Sequence, residues 1–138
     1  MNNETVTMTK PALILFAHGA RSAGWAAPFE RMRVLTQERM PGVTVALGFL
    51  ELMTPKLPEL VAQLLQDGVD RITVVPVFLG QGGHVLRDLP LIVEQLQRDH
   101  PGLSIDVAQA AGEDPAVLGA IADYCVAQVR QPAQSDQL

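Results

Sequence analysis

Short runs of aliphatic residues alternate along this chain with longer segments of helical periodicity. The first run, ALILFA over residues 12–17, contains no polar residue and ends directly before His18. Unbroken apolar runs of this length are typical of parallel strands buried on both faces, because helices then cover both sides of the sheet. Each later run is likewise followed by a helical pattern, so the alternation predicts an α/β fold.

Glycine and proline mark where the helical segments stop, as at Pro41–Gly42 and Pro101–Gly102. Thr54 is predicted to cap the second helix and Asp114 the fourth. The predicted strands cover 12–17, 43–49, 71–79 and 103–109, and the predicted helices cover 25–40, 55–67, 88–100 and 114–129. Four β-α units with short connections predict a single-domain, three-layer αβα sandwich, whose four parallel strands take the flavodoxin-like order 2-1-3-4.

Length and composition limit the organisation of the chain. Its 138 residues suit one domain, predicted over 11–130 between a polar tail at 1–10 and another at 131–138. The net charge of -5 argues against a general nucleic-acid binder. No apolar stretch approaches the ~18–20 residues that cross a bilayer, and the polar N-terminus does not resemble a signal peptide. A cytoplasmic protein is therefore predicted.

The single cysteine, Cys125, cannot form an internal disulfide or a cysteine-based metal cage. It falls in the helical pattern Val117, Ile121, Cys125, Val129. That spacing predicts a core thiol on the last helix.

Two histidines and one glutamate follow predicted strands. His18 comes directly after the first strand, Glu51 just after the second, and His84 closes the loop after the third. Ligands of open α/β sheets bind beyond the carboxyl ends of the strands, where the strand order reverses. These three side chains are therefore predicted to converge on one site.

Imidazole and carboxylate groups bind Co²⁺, Ni²⁺, Fe²⁺ or Zn²⁺, and they also accept protons. An incomplete ligand set would let the metal be handed on, which indicates a transfer site. His100, at the end of a predicted helix, is interpreted as structural.

The glycine-rich segment Gly80–Gly83 precedes His84. It lacks the Lys-Ser/Thr ending of a phosphate-binding P-loop. We interpret its glycines, Gly82 and Gly83 in particular, as allowing a large flat ligand to approach the backbone.

Three motifs, in order, resemble those of the small CbiX-type chelatases. Ala17-His18-Gly19-Ala20-Arg21 resembles their H-G-S-R motif, and Phe49-Leu50-Glu51 followed by Pro55 resembles their F-L-E…P segment. Pro76-Val-Phe-Leu79, Gly83-His84 and Asp88-Leu-Pro90 resemble their P-x-F-L…G-x-H…D-I-P signature. The likeness spans about residues 13–123. Ala20 stands where the family has serine, which removes one hydroxyl from the mouth of the site.

This resemblance implies a class II chelatase that inserts Co²⁺ or Fe²⁺ into sirohydrochlorin or a related tetrapyrrole, in cobalamin or sirohaem biosynthesis, and that works as a homodimer. It implies metal-binding and catalytic roles for His18 and His84, with Glu51 associated with them. The metal, including Ni²⁺ as a candidate, is then the substrate, and no organic cofactor is expected.

Cationic side chains flank these motifs and are candidates for binding the carboxylates of such a ring. Arg21 and Arg87 lie beside the two histidine motifs, and Lys56 follows Glu51. Arginine offers carboxylates a bidentate fork. For Lys56 an ordinary solvated surface charge is an equal alternative.

Two other functions remain open. The first is a non-catalytic carrier of metal or tetrapyrrole with the same fold. The second is a histidine phosphatase, which expects arginine before its first histidine, whereas this chain has Ala17.

Overall fold

The protein, seen in a computed structural model, is described over residues 9–80 and 82–130, apart from the side chains of His84 and Leu86. Four parallel strands form one sheet in the order β2-β1-β3-β4. The strands are β1 (Pro11–Ala17), β2 (Thr44–Phe49), β3 (Arg71–Pro76) and β4 (Ser104–Val107). The α/β class and the strand order predicted from the sequence are confirmed.

Four helices connect and follow the strands: α1 (Ala27–Arg39), α2 (Leu57–Gln66), α3 (Gly83–Asp99) and α4 (Pro115–Arg130). The main core lies on the side of the sheet that α2 and α3 cover. Ile14 and Phe16 of β1 point into it and are fully buried there with Leu57 of α2. On the other side of β1, Leu15 and Ala17 are also buried. Burial on both faces explains why β1 has no polar residue.

Two strands end earlier than predicted. β3 ends at Pro76 rather than residue 79, because proline has no N–H to donate to a sheet ladder. One further bond, from Val77 N–H to the Phe16 carbonyl, follows it. β4 ends at Val107 rather than 109, although the Ala108 N–H still bonds to the Val74 carbonyl.

The predicted starts of the first three helices, α1, α2 and α3, were wrong. α1 begins at Ala27, after a 3₁₀ turn over Ala23–Ala26. α2 begins after Lys56 rather than at Pro55, because the carboxylate of Glu59 accepts the Lys56 N–H at 2.9 Å and so caps this end.

The start of α3 matters most, because this helix begins at Gly83 and not at Asp88. Val85 and Leu89 are buried in the core, and their packing draws the glycine-rich segment into the first helical turn. His84 therefore lies in the first turn of α3 rather than in a loop.

The last helix also differs from expectation. The predicted core thiol, Cys125, is exposed, and α4 has no buried residue. The predicted tails fall mainly outside the described residues. No helix in the described part of the chain is long and apolar enough to cross a membrane.

Candidate metal-binding site

His18 and Glu51 meet at the carboxyl edge of the sheet. His18 directly follows β1, and Glu51 comes two residues after the end of β2, the strand paired with β1. His18 Nε2 lies 3.0 Å from Glu51 Oε2. The structure thus brings together two of the three side chains that the sequence predicts to converge.

Backbone hydrogen bonds position this pair. The Leu50 N–H donates to the Ala17 carbonyl at 3.0 Å, and the Glu51 N–H donates to the His18 carbonyl at 3.1 Å. These bonds continue the pairing of β1 with β2 beyond the last strand residues. The site is consequently held by the same kind of contact that holds the sheet.

Gly19 permits this close approach of the two segments. Its φ of +99° lies in a region that side chains with a Cβ rarely adopt. A Cβ at this position would lie 1.8 Å from the carbonyl oxygen of Glu51. Glycine is therefore required beside His18 on both conformational and steric grounds.

The chemistry available to the pair follows from its partners and its exposure. The side chains of His18 and Glu51 are 40% and 42% exposed, so both are accessible to a ligand. A carboxylate that bonds to one ring nitrogen of a histidine fixes the orientation and tautomer of the ring. The pair can therefore accept a proton or offer nitrogen and oxygen ligands to a divalent ion.

The third predicted ligand is His84. Its backbone is in the first turn of α3, which begins beside the carboxyl end of β3. Its side chain lies outside the described residues, so its meeting with His18 stays a prediction. Among the side chains that are described, no three His, Cys, Asp or Glu residues group as a metal site.

Asp88, which the sequence analysis placed in a motif without giving it a role, is a further candidate site residue. It lines a cavity of about 320 Å³ together with Glu51, Leu50, Leu91 and Ile92. The cavity separates the segment after β2 from one face of α3. Asp88 follows His84 by four positions, and such residues share a helical face. That spacing was the available signal, but it required knowing that the helix already begins at Gly83.

The predicted substrate-binding residues surround this edge of the sheet at exposed positions. Arg21 lies in the turn between β1 and α1, and Lys56 directly precedes α2. Arg87 is on α3, with its Nε 3.7 Å from Asp88 Oδ1. Gly82 and Gly83 are exposed, and a Cβ at either would meet nothing within 4 Å. Packing against the described residues thus gives no steric reason for these two glycines.

Comparison with known proteins decides the family. The CbiX family model matches residues 12–127, which include nearly all of β1, all four helix starts and both histidine motifs. The chain belongs to the CbiX family.

The CbiX relatives include two archaeal proteins named sirohydrochlorin cobaltochelatase. The protein from Methanopyrus kandleri is 39% identical over 57% of this chain and 55% of its own length. The protein from Methanocaldococcus jannaschii is 33% identical over 64% of this chain and 62% of its own length. The matched part of the chain thus spans less than two thirds of either relative.

A solved CbiX structure shares the architecture. It is the putative cobalamin (vitamin B12) biosynthesis CbiX protein from Marinobacter aquaeolei VT8, with a TM-score of 0.78 and 33% identity. The likeness covers 88% of this chain and 98% of that one. Nearly the whole of that CbiX structure therefore has a counterpart here.

Proposed function

We propose that this CbiX protein is a class II chelatase, a lyase that inserts Co²⁺ or Fe²⁺ into sirohydrochlorin or a related tetrapyrrole of cobalamin or sirohaem biosynthesis. The observation that carries the proposal is the His18–Glu51 pair, joined at 3.0 Å and open to solvent at the carboxyl edge of the sheet. The relatives' name, sirohydrochlorin cobaltochelatase, supports the choice of substrate and reaction.

The reaction requires a metal ligand and a base in the same place. As the ion enters the ring it exchanges water for pyrrole nitrogens, and two pyrrole N–H protons must leave. Neutral imidazole binds a borderline metal ion and also accepts a proton near pH 7. We propose that His18 and His84 hold the ion, and that Glu51 orients His18 and receives or passes on protons.

The tetrapyrrole carries several carboxylates, and cations around the site would orient them. Arg21, Lys56 and Arg87 are exposed at this edge of the sheet and are proposed for that role. Among the residues that the structure describes, none would lie close to a Cβ at Gly82 or Gly83. Their proposed role is to let the flat macrocycle approach the first turn of α3.

A chelation assay with catalytic amounts of protein tests the proposal. Sirohydrochlorin is mixed with Co²⁺, Fe²⁺ or Ni²⁺, and the change in ring absorbance is followed against a protein-free control. We expect several product molecules per protein with Co²⁺ or Fe²⁺. Product limited to one equivalent would instead establish the alternative of a carrier that binds metal or tetrapyrrole without turnover.

Glu51→Gln tests the role of the carboxylate. The amide keeps the size of the side chain but removes its charge, so it orients and supports His18 less well. Loss of such a supporting partner typically costs 10–100-fold, and we expect kcat/KM for Co²⁺ insertion to fall by about that factor. Glu38→Gln is the matched control, because Glu38 is exposed on α1, outside the site. Equal rates for both variants would remove Glu51 from the mechanism.

We also propose that the protein acts as a homodimer in the cytoplasm, with the chelatase domain over residues 11–130. The homodimer is implied by the family resemblance. It gains support from apolar side chains on α1 and α4 that a single chain leaves exposed.

A further inference from the structure

Leu52, which directly follows Glu51, has a strained backbone. Its φ is +69°, and within residues 9–80 and 82–130 it is the one residue other than glycine whose φ is positive. The Met53 N–H donates to the Glu51 carbonyl at 2.8 Å, so Leu52 is the central residue of a three-residue turn. Such a turn with a positive φ at its centre is rare and strained, and a bulky residue is unusual there.

Packing among the described residues does not explain a leucine at this position. Leu52 is 50% exposed, and the described residues that form the core or pack against it do not include Leu52. Glycine would adopt the same conformation without strain. Strained residues of this kind cluster at functional sites, where the strain is kept for a task other than stability. Here the strained residue is the neighbour of the carboxylate that bonds to His18.

Contacts with the end of β1 hold the strained turn in place. The Glu51 N–H donates to the His18 carbonyl at 3.1 Å. The Glu51 carbonyl oxygen, which accepts the Met53 N–H, lies against Gly19, where a Cβ would come within 1.8 Å of it. The peptide group between Glu51 and Leu52 is therefore fixed from the side of β1, and the conformation of Leu52 is imposed by its surroundings.

A second exposed leucine, Leu79, lies beyond the end of β3 on a backbone that is held from two sides. On one side the Val77 N–H donates to the Phe16 carbonyl at 2.9 Å, and the rings of Phe78 and Phe16 pack edge to face with centroids 5.9 Å apart. On the other side the Gly112 N–H donates to the Phe78 carbonyl at 2.8 Å. A Cβ on Gly112 would lie 1.9 Å from the Leu79 carbonyl oxygen. Leu79 is nevertheless 64% exposed, so an ordered segment presents its side chain to solvent.

The strand order places the two leucines on opposite sides of His18. β1 lies between β2 and β3, and the three strands are parallel. His18 follows β1, Leu52 follows β2 and Leu79 follows β3. One exposed leucine on a protein surface is ordinary. Two of them on ordered backbone, one of which is strained, on either side of a candidate metal ligand indicate an apolar contact for a ligand.

We propose that Leu52 and Leu79 are the apolar contacts that hold the tetrapyrrole at the His18–Glu51 pair. The faces of such a macrocycle are conjugated rings, whereas its carboxylates lie on the rim. Sites for small ligands combine an apolar lining with a few polar groups that fix the orientation. The cations around the site bind the rim, and the two leucines contact the apolar part of the ring. This inference rests on the proposed chelatase function and names residues that recognise its substrate.

Leu52→Asn separates a role in binding from a role in the fold. Asparagine is similar in size, removes the apolar contact, and adopts a positive φ several-fold more often than most residues. We expect the urea midpoint of unfolding to equal or exceed that of the wild type, because the strain is relieved. The dissociation constant of metal-free sirohydrochlorin, measured by equilibrium dialysis, should rise about tenfold, the order expected when part of the burial of one leucine is lost.

Leu79→Asn is expected to raise the same dissociation constant about tenfold, with a urea midpoint close to that of the wild type because Leu79 is exposed. Leu52→Met and Leu79→Met are the matched controls. They keep an apolar side chain of similar volume and should bind sirohydrochlorin as the wild type does. The dissociation constant of Co²⁺ in the absence of the ring should be the same in all these proteins, since His18 and Glu51 are unchanged.

The possible results are distinguishable. Unchanged sirohydrochlorin affinity in either asparagine variant would overturn the assignment of that leucine, while turnover by the wild type would still establish the chelatase. A lower urea midpoint for Leu52→Asn would mean that Leu52 serves the fold and would likewise overturn its assignment. If the wild type bound no sirohydrochlorin, both this inference and the proposed function would be wrong.

Discussion

Replacing His18 with alanine is expected to lower the rate of Co²⁺ insertion into sirohydrochlorin by about 10²–10⁴-fold. In the proposed mechanism the variant loses a metal ligand and a proton acceptor together, because one imidazole serves both purposes. It also removes the ring nitrogen that lies 3.0 Å from the carboxylate of Glu51. His84→Ala is expected to have a similar effect, since the proposed mechanism gives the two histidines a shared ion.

The comparison is made by ring absorbance at fixed concentrations of Co²⁺ and sirohydrochlorin, with His100→Ala as the control. His100 ends α3, where its N–H donates to the Leu96 carbonyl, and it has no role in the proposed site. The control should retain the wild-type rate and thereby exclude a general effect of losing a histidine. If His18→Ala also retained that rate, the proposed mechanism would be wrong.

Replacing Gly19 with alanine is expected to cost stability and activity together. The substitution places a methyl group 1.8 Å from the Glu51 carbonyl oxygen, at a φ of +99°. Left-handed strain costs about 1–2 kcal/mol and overpacking about 1–3 kcal/mol, so the free energy of unfolding should fall by about 2–5 kcal/mol. Relief of the clash must move Glu51 away from β1, so the His18–Glu51 contact should be lost as well.

The free energy of unfolding of Gly19→Ala is measured by thermal and urea unfolding, with Gly24→Ala as the matched control. A Cβ added at Gly24 would meet no atom within 4 Å, so its replacement should change stability by no more than about 0.5 kcal/mol. Chelation by Gly19→Ala is then measured at a temperature where it remains folded. Equal stability of the two variants would mean that the contact between residues 19 and 51 is not rigid.

Much of the fold is encoded in local patterns, and these were sufficient to predict it. The run at 12–17 has no polar residue because β1 lies in the middle of the sheet with both faces covered. Because strands and helices alternate with short connections, few sheet topologies are possible. The observed order is one of these few, with β1 between β2 and β3. That order brings His18 and Glu51 to neighbouring strand ends, so their contact was predictable from sequence.

The errors arose where tertiary contacts override local pattern. Glycines before His84 resemble a loop, yet burial of Val85 and Leu89 extends α3 to Gly83. The apolar spacing around Cys125 predicts a buried helix face, but the sequence does not state whether the same chain or another one buries it. Patterns reveal that a surface is apolar, whereas only the arrangement of elements shows which partner it meets.

The backbone bonds that join Ala17 to Leu50 and His18 to Glu51 have a consequence for how this site can vary. The imidazole of His18 and the carboxylate of Glu51 are carried by an extension of the sheet, while Arg21 and Lys56 lie on separate turns. In the proposed chelatase, changes in those turns would therefore alter which macrocycle is admitted without altering the spacing of the imidazole and the carboxylate. Selection of the ring by those turns and the spacing of the His18–Glu51 pair are then mechanically separable.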